Sequence, residues 1–185
     1  MTVKEVMHDT ESKMKKTVEA TQRDFSTVRT GRASAALVDN VKVDCYGTIM
    51  PLKQLAAITT PDARTVMIQP WDKNALADIE KSIMKSDLGI PPANDGKVIR
   101  LTVPPLTQER RSELDKVLKK IAEGGHISIR TSRHTAIEAT KKLKKDKTIT
   151  EDEEFKATED IQKLTDKFIK EIDTVLASKE KDIQG

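Results

Sequence analysis

The sequence predicts an α+β protein in which a small, hinged β/α/β domain is inserted into a long three-helix bundle. Apolar residues recur at helical spacing over residues 3–29, over residues 107–145 and from Thr150 almost to the end of the chain. Between the first two stretches the pattern changes to the alternation that is typical of β-strands. Glycine and proline mark both changes, at Gly31 and at Pro104-Pro105.

Residues 3–29 are predicted to form the first helix, since no proline interrupts them. Their apolar and small residues have the spacing of helices that pack on other helices; these are Met7, Met14, Val18, Thr21, Phe25 and Val28. Gly31 is expected to end the segment, because glycine readily adopts the left-handed conformation that follows many helices.

Residues 31–104 are predicted to form the β/α/β domain. Its helix is expected over residues 75–85, with Asp72 as the N-cap. Residues 51–58 are compatible with a turn followed by a short strand. Clearer strands are expected at residues 41–46, 65–69 and 98–103, the last after a turn at Asn94-Asp95-Gly96.

Residues 107–145 are predicted to form the second long helix, with Thr107 as its cap. One seam of apolar and small residues runs along it: Leu114, Leu118, Ile121, Gly125, Ser128, Ser132, Ala136, Ala139 and Leu143. The small residues in the middle predict a close approach of a neighbouring helix. Gly124-Gly125 is a weak point where a kink could form.

The third helix is predicted to begin at a capping box, Thr150-Glu151-Asp152-Glu153. Its apolar stripe comprises Phe155, Ile161, Leu164, Phe168, Ile172, Val175 and Leu176. Because the three stripes must bury one another, residues 1–30 and 105–185 are predicted to form the bundle. Two short connections would then carry the β/α/β domain and form a hinge, at Thr30, Gly31, Arg32, Pro104 and Pro105.

The charge distribution points to a polyanionic partner. Residues 105–147 contain twelve Lys or Arg against six Asp or Glu, whereas residues 148–185 contain six against eleven. A basic stripe is predicted within about 80° of the second helix, opposite its seam, and it would suit a nucleic-acid backbone. Its members are Lys119, His126, Arg130, Arg133, Lys141 and Lys144. An alternative is that the basic and acidic segments are neighbouring helices that pair with each other.

The motifs do not favour an enzyme, and no cofactor is expected. His8, His126 and His134 lack metal-ligand spacing, and the one cysteine, Cys45, lies in a strand, as a packed thiol does. No stretch approaches the ~20 apolar residues that cross a bilayer, and the N-terminal residues lack the apolar core of a secretory signal. A single cysteine fits a reducing compartment. A cytoplasmic protein without a membrane partner is therefore expected.

Motifs along the whole chain resemble the bacterial ribosome recycling factor family. They are Val28 to Ser34, Tyr46-Gly47-Thr48 with Pro51 to Leu55, Ser86 to Gly89, Pro104 to Arg111, the helix through Arg130 and Arg133, and Gln162 to Asp166. The resemblance implies an L-shaped, tRNA-like molecule that binds the ribosome after termination. With elongation factor G and GTP hydrolysis by that partner, it would separate the ribosomal subunits and release the mRNA.

By the same resemblance, seven residues are expected to contact large-subunit ribosomal RNA: Arg29, Gly31, Arg32, Arg110, Arg111, Arg130 and Arg133. The two arginine pairs beside the hinge would equally suit salt bridges across the domain junction. Two other functions are the alternatives: a helical module that binds protein without RNA, and a small enzyme in the β/α/β domain, which would need a polar pocket that the residues there do not supply. Self-association and indifference to salt would indicate the helical module, whereas a monomer with salt-sensitive ribosome binding would indicate the recycling factor.

Overall fold

The computed structural model describes residues 1–185, and the chain divides into two compact units. The helical unit comprises Met1–Thr30 with Gln108–Gln184, and the β-rich unit comprises Gly31–Thr107. The predicted fold class, a three-helix bundle with an inserted β/α/β domain, is confirmed. Residues 105–107, which the sequence prediction placed in the bundle, fall in the β-rich unit.

Eleven helices and strands follow one another along the chain. They are α1 (Val3–Thr27), β1 (Lys42–Cys45), β2 (Thr48–Pro51), α2 (Leu52–Leu55), β3 (Ala56–Thr59), β4 (Thr65–Pro70), α3 (Leu76–Lys85), β5 (Pro92–Asn94), β6 (Ile99–Thr102), α4 (Gln108–Lys145) and α5 (Glu151–Gln184). Short 3₁₀ turns precede β1 and α3, at Ala35–Val38 and Lys73–Ala75.

In the helical unit α4 runs antiparallel to both α1 and α5. The core residues of α4 are not all those predicted: Leu114, Leu118, Gly125, Ala136 and Leu143 are buried, but so are Ala122, Ile129 and Thr140. Ser128 is exposed and Ser132 only half-buried, so the predicted seam is wrong at both positions. An α-helix has 3.6 residues per turn, and a fixed heptad spacing therefore drifts away from the core over several turns.

The outer helices show the same displacement at their ends. In α1 the buried residues are Val6, Thr10, Met14, Val18, Thr21 and Phe25, whereas Met7 and Val28 are only half-buried. The prediction that Phe155 belongs to the core is wrong, since 67% of this residue is exposed. Phe155 lies about 120° around the helix from the buried residue Ile161 and about 140° from the buried residue Phe168.

Gly125 lies where the three helices come closest. A Cβ atom at this position would be 2.7 Å from Thr21 Oγ1 in α1 and 2.8 Å from Ile172 Cδ1 in α5. Gly124 has no atom within 4 Å of the equivalent point. The predicted close approach is therefore confirmed at Gly125. The helix runs through both glycines without interruption.

The turn between α4 and α5 is fixed at both of its ends. Lys147 adopts a left-handed conformation (φ 56°), and the Thr148 amide donates to the Leu143 carbonyl at 2.9 Å, which closes α4 in a Schellman motif. The predicted capping box of α5 is confirmed. The Thr150 amide donates to Glu153 Oε2 at 2.7 Å, and the Glu153 amide donates to Thr150 Oγ1 at 3.2 Å.

The β-rich unit contains two sheets around α3. β1 and β2 form an antiparallel hairpin, and a four-stranded antiparallel sheet has the order β3-β4-β6-β5. The sequence prediction missed β2 and β5, which are short and carry Pro51 and Pro92, residues that cannot donate to a strand ladder. The ambiguous residues 51–58 do form a helical turn followed by a strand. Cys45 is fully buried, as predicted for a packed thiol.

The hairpin turn of β1 and β2 presents the only tyrosine of the chain. Tyr46 (φ 54°) and Gly47 (φ 75°) both adopt positive φ, as a two-residue type I′ turn requires. The Tyr46 ring is 70% exposed, and its hydroxyl donates to Asp72 Oδ2 at 2.5 Å. Asp72 also accepts from the Asn74 amide, which confirms its predicted capping role before α3.

This hydrogen bond, together with partial desolvation and the charge of Asp72, raises the pKa of Tyr46 from 10.0 to about 12. Because the folded value lies above the unfolded one, the stabilisation is fully present below pH 10 and is lost as the pH rises through about 12. We expect absorbance at 295 nm to show the single tyrosine titrating near pH 12. In Asp72→Asn the midpoint should move towards 10; an unchanged midpoint would contradict the assignment.

Both chain segments that enter and leave the β-rich unit bind the same loop. The Ala33 amide donates to the Ala63 carbonyl at 2.8 Å, and the Val103 amide donates to the Arg64 carbonyl at 2.7 Å. Gly31 has φ 74°, and a Cβ there would be 2.8 Å from Leu106 Cγ. Glycine is needed at this position on both counts.

Candidate nucleic-acid interface

Three members of the basic stripe predicted on α4, His126, Arg133 and Lys144, contact side chains of α5, so the stripe lies next to α5 and not opposite the buried seam as predicted. His126 Nε2 is 2.8 Å from Asp173 Oδ1, and Lys144 Nζ is 2.7 Å from Glu154 Oε2, both carboxylates being on α5. We call this set, comprising Lys119, His126, Arg130, Arg133, Lys141 and Lys144, the α4 basic stripe. The buried face of α4 is displaced towards the stripe, because Ala122, Ile129 and Thr140 belong to it.

Most members of the α4 basic stripe have a carboxylate neighbour. Lys119 is 2.7 Å from Asp115, and Lys141 is 2.9 Å from Glu138, each within one turn of α4. The hydrogen bond to Glu154 is the main reason that the pKa of Lys144 is raised. The alternative reading, in which the basic and acidic helices pair, is therefore correct for His126 and Lys144. Exposed pairs such as Lys141–Glu138 are weak, because water screens the two charges, and an approaching anion can displace the carboxylate.

Arg133 differs from the rest of the stripe because its partner is neutral. Its Nη1 donates to the amide oxygen of Gln162 on α5 at 3.2 Å. The Gln162 amide nitrogen in turn donates to Asp166 Oδ1 at 2.8 Å, one turn further along α5. The guanidinium is thus held in place by a hydrogen bond that leaves its positive charge uncompensated. A fixed, charged guanidinium is the group that proteins use most often to bind phosphate.

Arg130 is held by a carboxylate of its own helix. Its Nη1 lies 3.3 Å from Glu123 Oε1, two turns away, and both side chains are more than half exposed. The second oxygen of Glu123 is 3.6 Å from His126 Nδ1. Glu123 is therefore shared between Arg130 and His126, and an approaching phosphate would compete with it for Arg130. No carboxylate of α5 neutralises Arg130 or Arg133 among the ion pairs of the chain.

The other predicted RNA-binding residues form no single patch with these two. Arg29, Arg110 and Arg111 lie at the end of the bundle where α1 ends and α4 begins, whereas Arg130 and Arg133 lie in the middle of α4. Along the α4 axis Arg111 and Arg130 are about 28 Å apart. Arg110 Nη1 donates to Glu113 at 2.9 Å, whereas Arg111 Nε is buried without a hydrogen-bond partner.

Gly31 and Arg32 belong to the β-rich unit, as do the predicted hinge prolines, Pro104 and Pro105. Arg32 is exposed. Sequence reasoning missed Gln162 and Glu123 as partners of the arginines. The contact between Arg133 and Gln162 joins residues 29 positions apart, and the contact between Arg130 and Glu123 joins residues seven positions apart. Neither spacing is a recognised sequence signal, although Gln162 lies in one of the family motifs.

Three other features of the chain bear on metal binding, thiol chemistry and membrane insertion. No group of three or more His, Cys, Asp or Glu residues is arranged to hold a metal ion. Burial is the main reason that the pKa of the Cys45 thiol is raised, which disfavours the reactive thiolate. None of the helices is both long and apolar enough to span a membrane.

Comparison with known proteins gives one consistent result. The family profile described as "Ribosome recycling factor" matches residues 21–183. The ribosome-recycling factor of Thermosynechococcus vestitus is 57% identical over 175 residues, covering 95% of this chain and 96% of that protein. The factor of Oleidesulfovibrio alaskensis is 52% identical over 178 residues, covering 96% and 97%.

Two solved structures are similar over essentially the whole chain. A solution structure of a ribosome recycling factor has 42% identity and a TM-score of 0.71, with 100% of this chain and 98% of that chain covered. The second shows the T. thermophilus ribosome recycling factor and the E. coli elongation factor G bound to the E. coli post-termination complex. That factor has 44% identity and a TM-score of 0.66, with both chains fully covered.

Proposed function

The chain belongs to the ribosome recycling factor family, and on that premise we propose that it binds the post-termination ribosome. With elongation factor G and GTP, it would promote dissociation of the ribosome into subunits and release from the mRNA. The observation that carries this proposal is similarity over the full chain to a factor bound, with elongation factor G, to a post-termination complex. The chain would act in the cytoplasm as a monomer.

The proposed contacts with large-subunit ribosomal RNA fall into two groups. Arg130 and Arg133 of the α4 basic stripe form one group, and the uncompensated charge of Arg133 supports its direct contact with a phosphate. Arg29, Arg110 and Arg111 form the other group within the helical unit, and Gly31 and Arg32 are proposed as separate contacts in the β-rich unit.

The proposed mechanism is mechanical, and the chain itself would be no enzyme. The bundle would anchor on RNA while the β-rich unit moves about the segments that join it to α1 and α4. The bonds from Ala33 and Val103 to the loop at Ala63 and Arg64 hold the base of that unit together. Motion is therefore proposed to centre on residues 30–32 and the turn between Pro104 and the start of α4. GTP hydrolysis would belong to the elongation factor.

Sedimentation with vacant 70S ribosomes tests the RNA-binding part of the proposal. We expect the full chain to pellet with ribosomes at about 50 mM salt and to remain in the supernatant at several hundred millimolar, since phosphate contacts release counterions. The logarithm of the affinity should fall linearly with the logarithm of the salt concentration. Salt-independent binding, or self-association without ribosome binding, would instead indicate a helical protein-interaction module. Subunit separation that proceeds without elongation factor G and GTP would contradict the proposed division of labour.

A further inference from the structure

The side chain of Gln162 has one favourable orientation. Its amide oxygen accepts from Arg133 Nη1 at 3.2 Å, and its amide nitrogen donates to Asp166 Oδ1 at 2.8 Å. Rotating the amide by 180° would place the NH₂ group against the guanidinium and the oxygen against the carboxylate. Both contacts would then be repulsive. Asp166 therefore fixes the amide of Gln162, and the amide fixes Arg133.

The chemical nature of the partner decides whether the positive charge of the Arg133 guanidinium is compensated. Arg130, three residues before Arg133 on the same helix, is paired with the carboxylate of Glu123 and must release it before binding a phosphate. The partner of Arg133 is an amide, which accepts one hydrogen bond and leaves the positive charge of the guanidinium uncompensated. The remaining N–H groups of the guanidinium fork can then bind a phosphate.

We propose that Gln162, oriented by Asp166, is a positioning residue for Arg133, and that it holds this arginine ready for a phosphate without neutralising it. The inference rests on the proposed function, because it assumes that Arg133 contacts ribosomal RNA. It gives a physical role to the motif Gln162 to Asp166, which the ribosome-binding arginines alone do not explain. Within that motif Thr165 is buried, whereas Gln162 and Asp166 are exposed.

Two substitutions at one position separate orientation from charge. Gln162→Met removes the hydrogen-bond acceptor but adds no charge, so binding to vacant 70S ribosomes should weaken about two- to threefold. The salt slope, which is the slope of log affinity against log salt concentration, should not change. Gln162→Glu places a carboxylate on Arg133, so binding should weaken about five- to tenfold and the slope should fall by about one. Gln162 is an exposed residue, and the helical circular dichroism and unfolding midpoint of both variants should match those of the parent.

A double-mutant cycle with Arg133→Met completes the test. If Gln162 acts through Arg133, Gln162→Met should have no further effect on ribosome affinity in the Arg133→Met background. An undiminished effect there, or a Gln162→Glu variant that binds like the parent, would overturn the positioning role. Should Arg133→Met itself leave affinity and salt slope unchanged, the proposed RNA contact of Arg133 would fail, and this inference with it.

Discussion

Replacing Gly125 with valine is expected to destabilise the bundle by about 3 kcal/mol. A Cβ here already lies 2.7 Å from Thr21 Oγ1 and 2.8 Å from Ile172 Cδ1, and valine adds two methyl groups beyond it. Neither neighbour can move freely. Thr21 is fixed by its hydrogen bond to the Thr17 carbonyl at 2.8 Å, and Ile172 is only 1% exposed. The helices must separate, which opens the core along all three.

Urea unfolding followed at 222 nm measures this effect, since the three long helices dominate that signal. Gly124→Ala is the matched control, because no atom lies within 4 Å of its Cβ position. It should stabilise the helix by up to about 1 kcal/mol, through the higher helix propensity of alanine. If valine at 125 were tolerated as well as alanine at 124, the close approach of the helices would be incorrect.

Removing both arginines, in Arg130→Met/Arg133→Met, is expected to weaken ribosome binding about thirtyfold or more at physiological salt. Hydrogen bonds to charged groups contribute about 1.5–3 kcal/mol each. Arg133→Met should account for most of the loss, about tenfold or more, because its charge is uncompensated. Arg130→Met should cost about threefold, since Arg130 must first release Glu123. Methionine keeps the apolar stem of arginine, so stability should change little.

Equilibrium binding to vacant 70S ribosomes at several salt concentrations measures both the affinity and its salt slope. The slope should fall by about two in the double variant. Lys13→Met is the control, because it also removes one exposed cation, paired with Asp9 on α1, from the same bundle. Equal losses of ribosome affinity in Lys13→Met and in Arg133→Met would show that the overall positive charge of the bundle, and not the α4 basic stripe, is responsible for binding. Equal losses for Arg130 and Arg133 would contradict the role of Glu123.

Local chemistry made much of the fold predictable. The capping box at Thr150, the strand predicted at residues 41–46 and the cap at Asp72 each depend on residues a few positions apart. The two caps are confirmed, and the strand is present as Lys42–Cys45. Gly125 was also identified as a small residue at a helix contact. Short strands that contain proline were missed, because β2 and β5 exist only through pairing with β1 and β6.

The sequence by itself determined where the helices run, which stretches carry positive charge and to which family the chain is similar. Only the tertiary structure decided which side of α4 faces the core, that Phe155 is exposed, and that Gln162 holds Arg133. Spacing along one helix reports neighbours one or two turns away, whereas the partner of Arg133 lies 29 residues distant on another helix. Whether an arginine meets an amide or a carboxylate depends on how two helices are rotated against each other. That rotation is set by packing between side chains of different helices, which are far apart in the sequence.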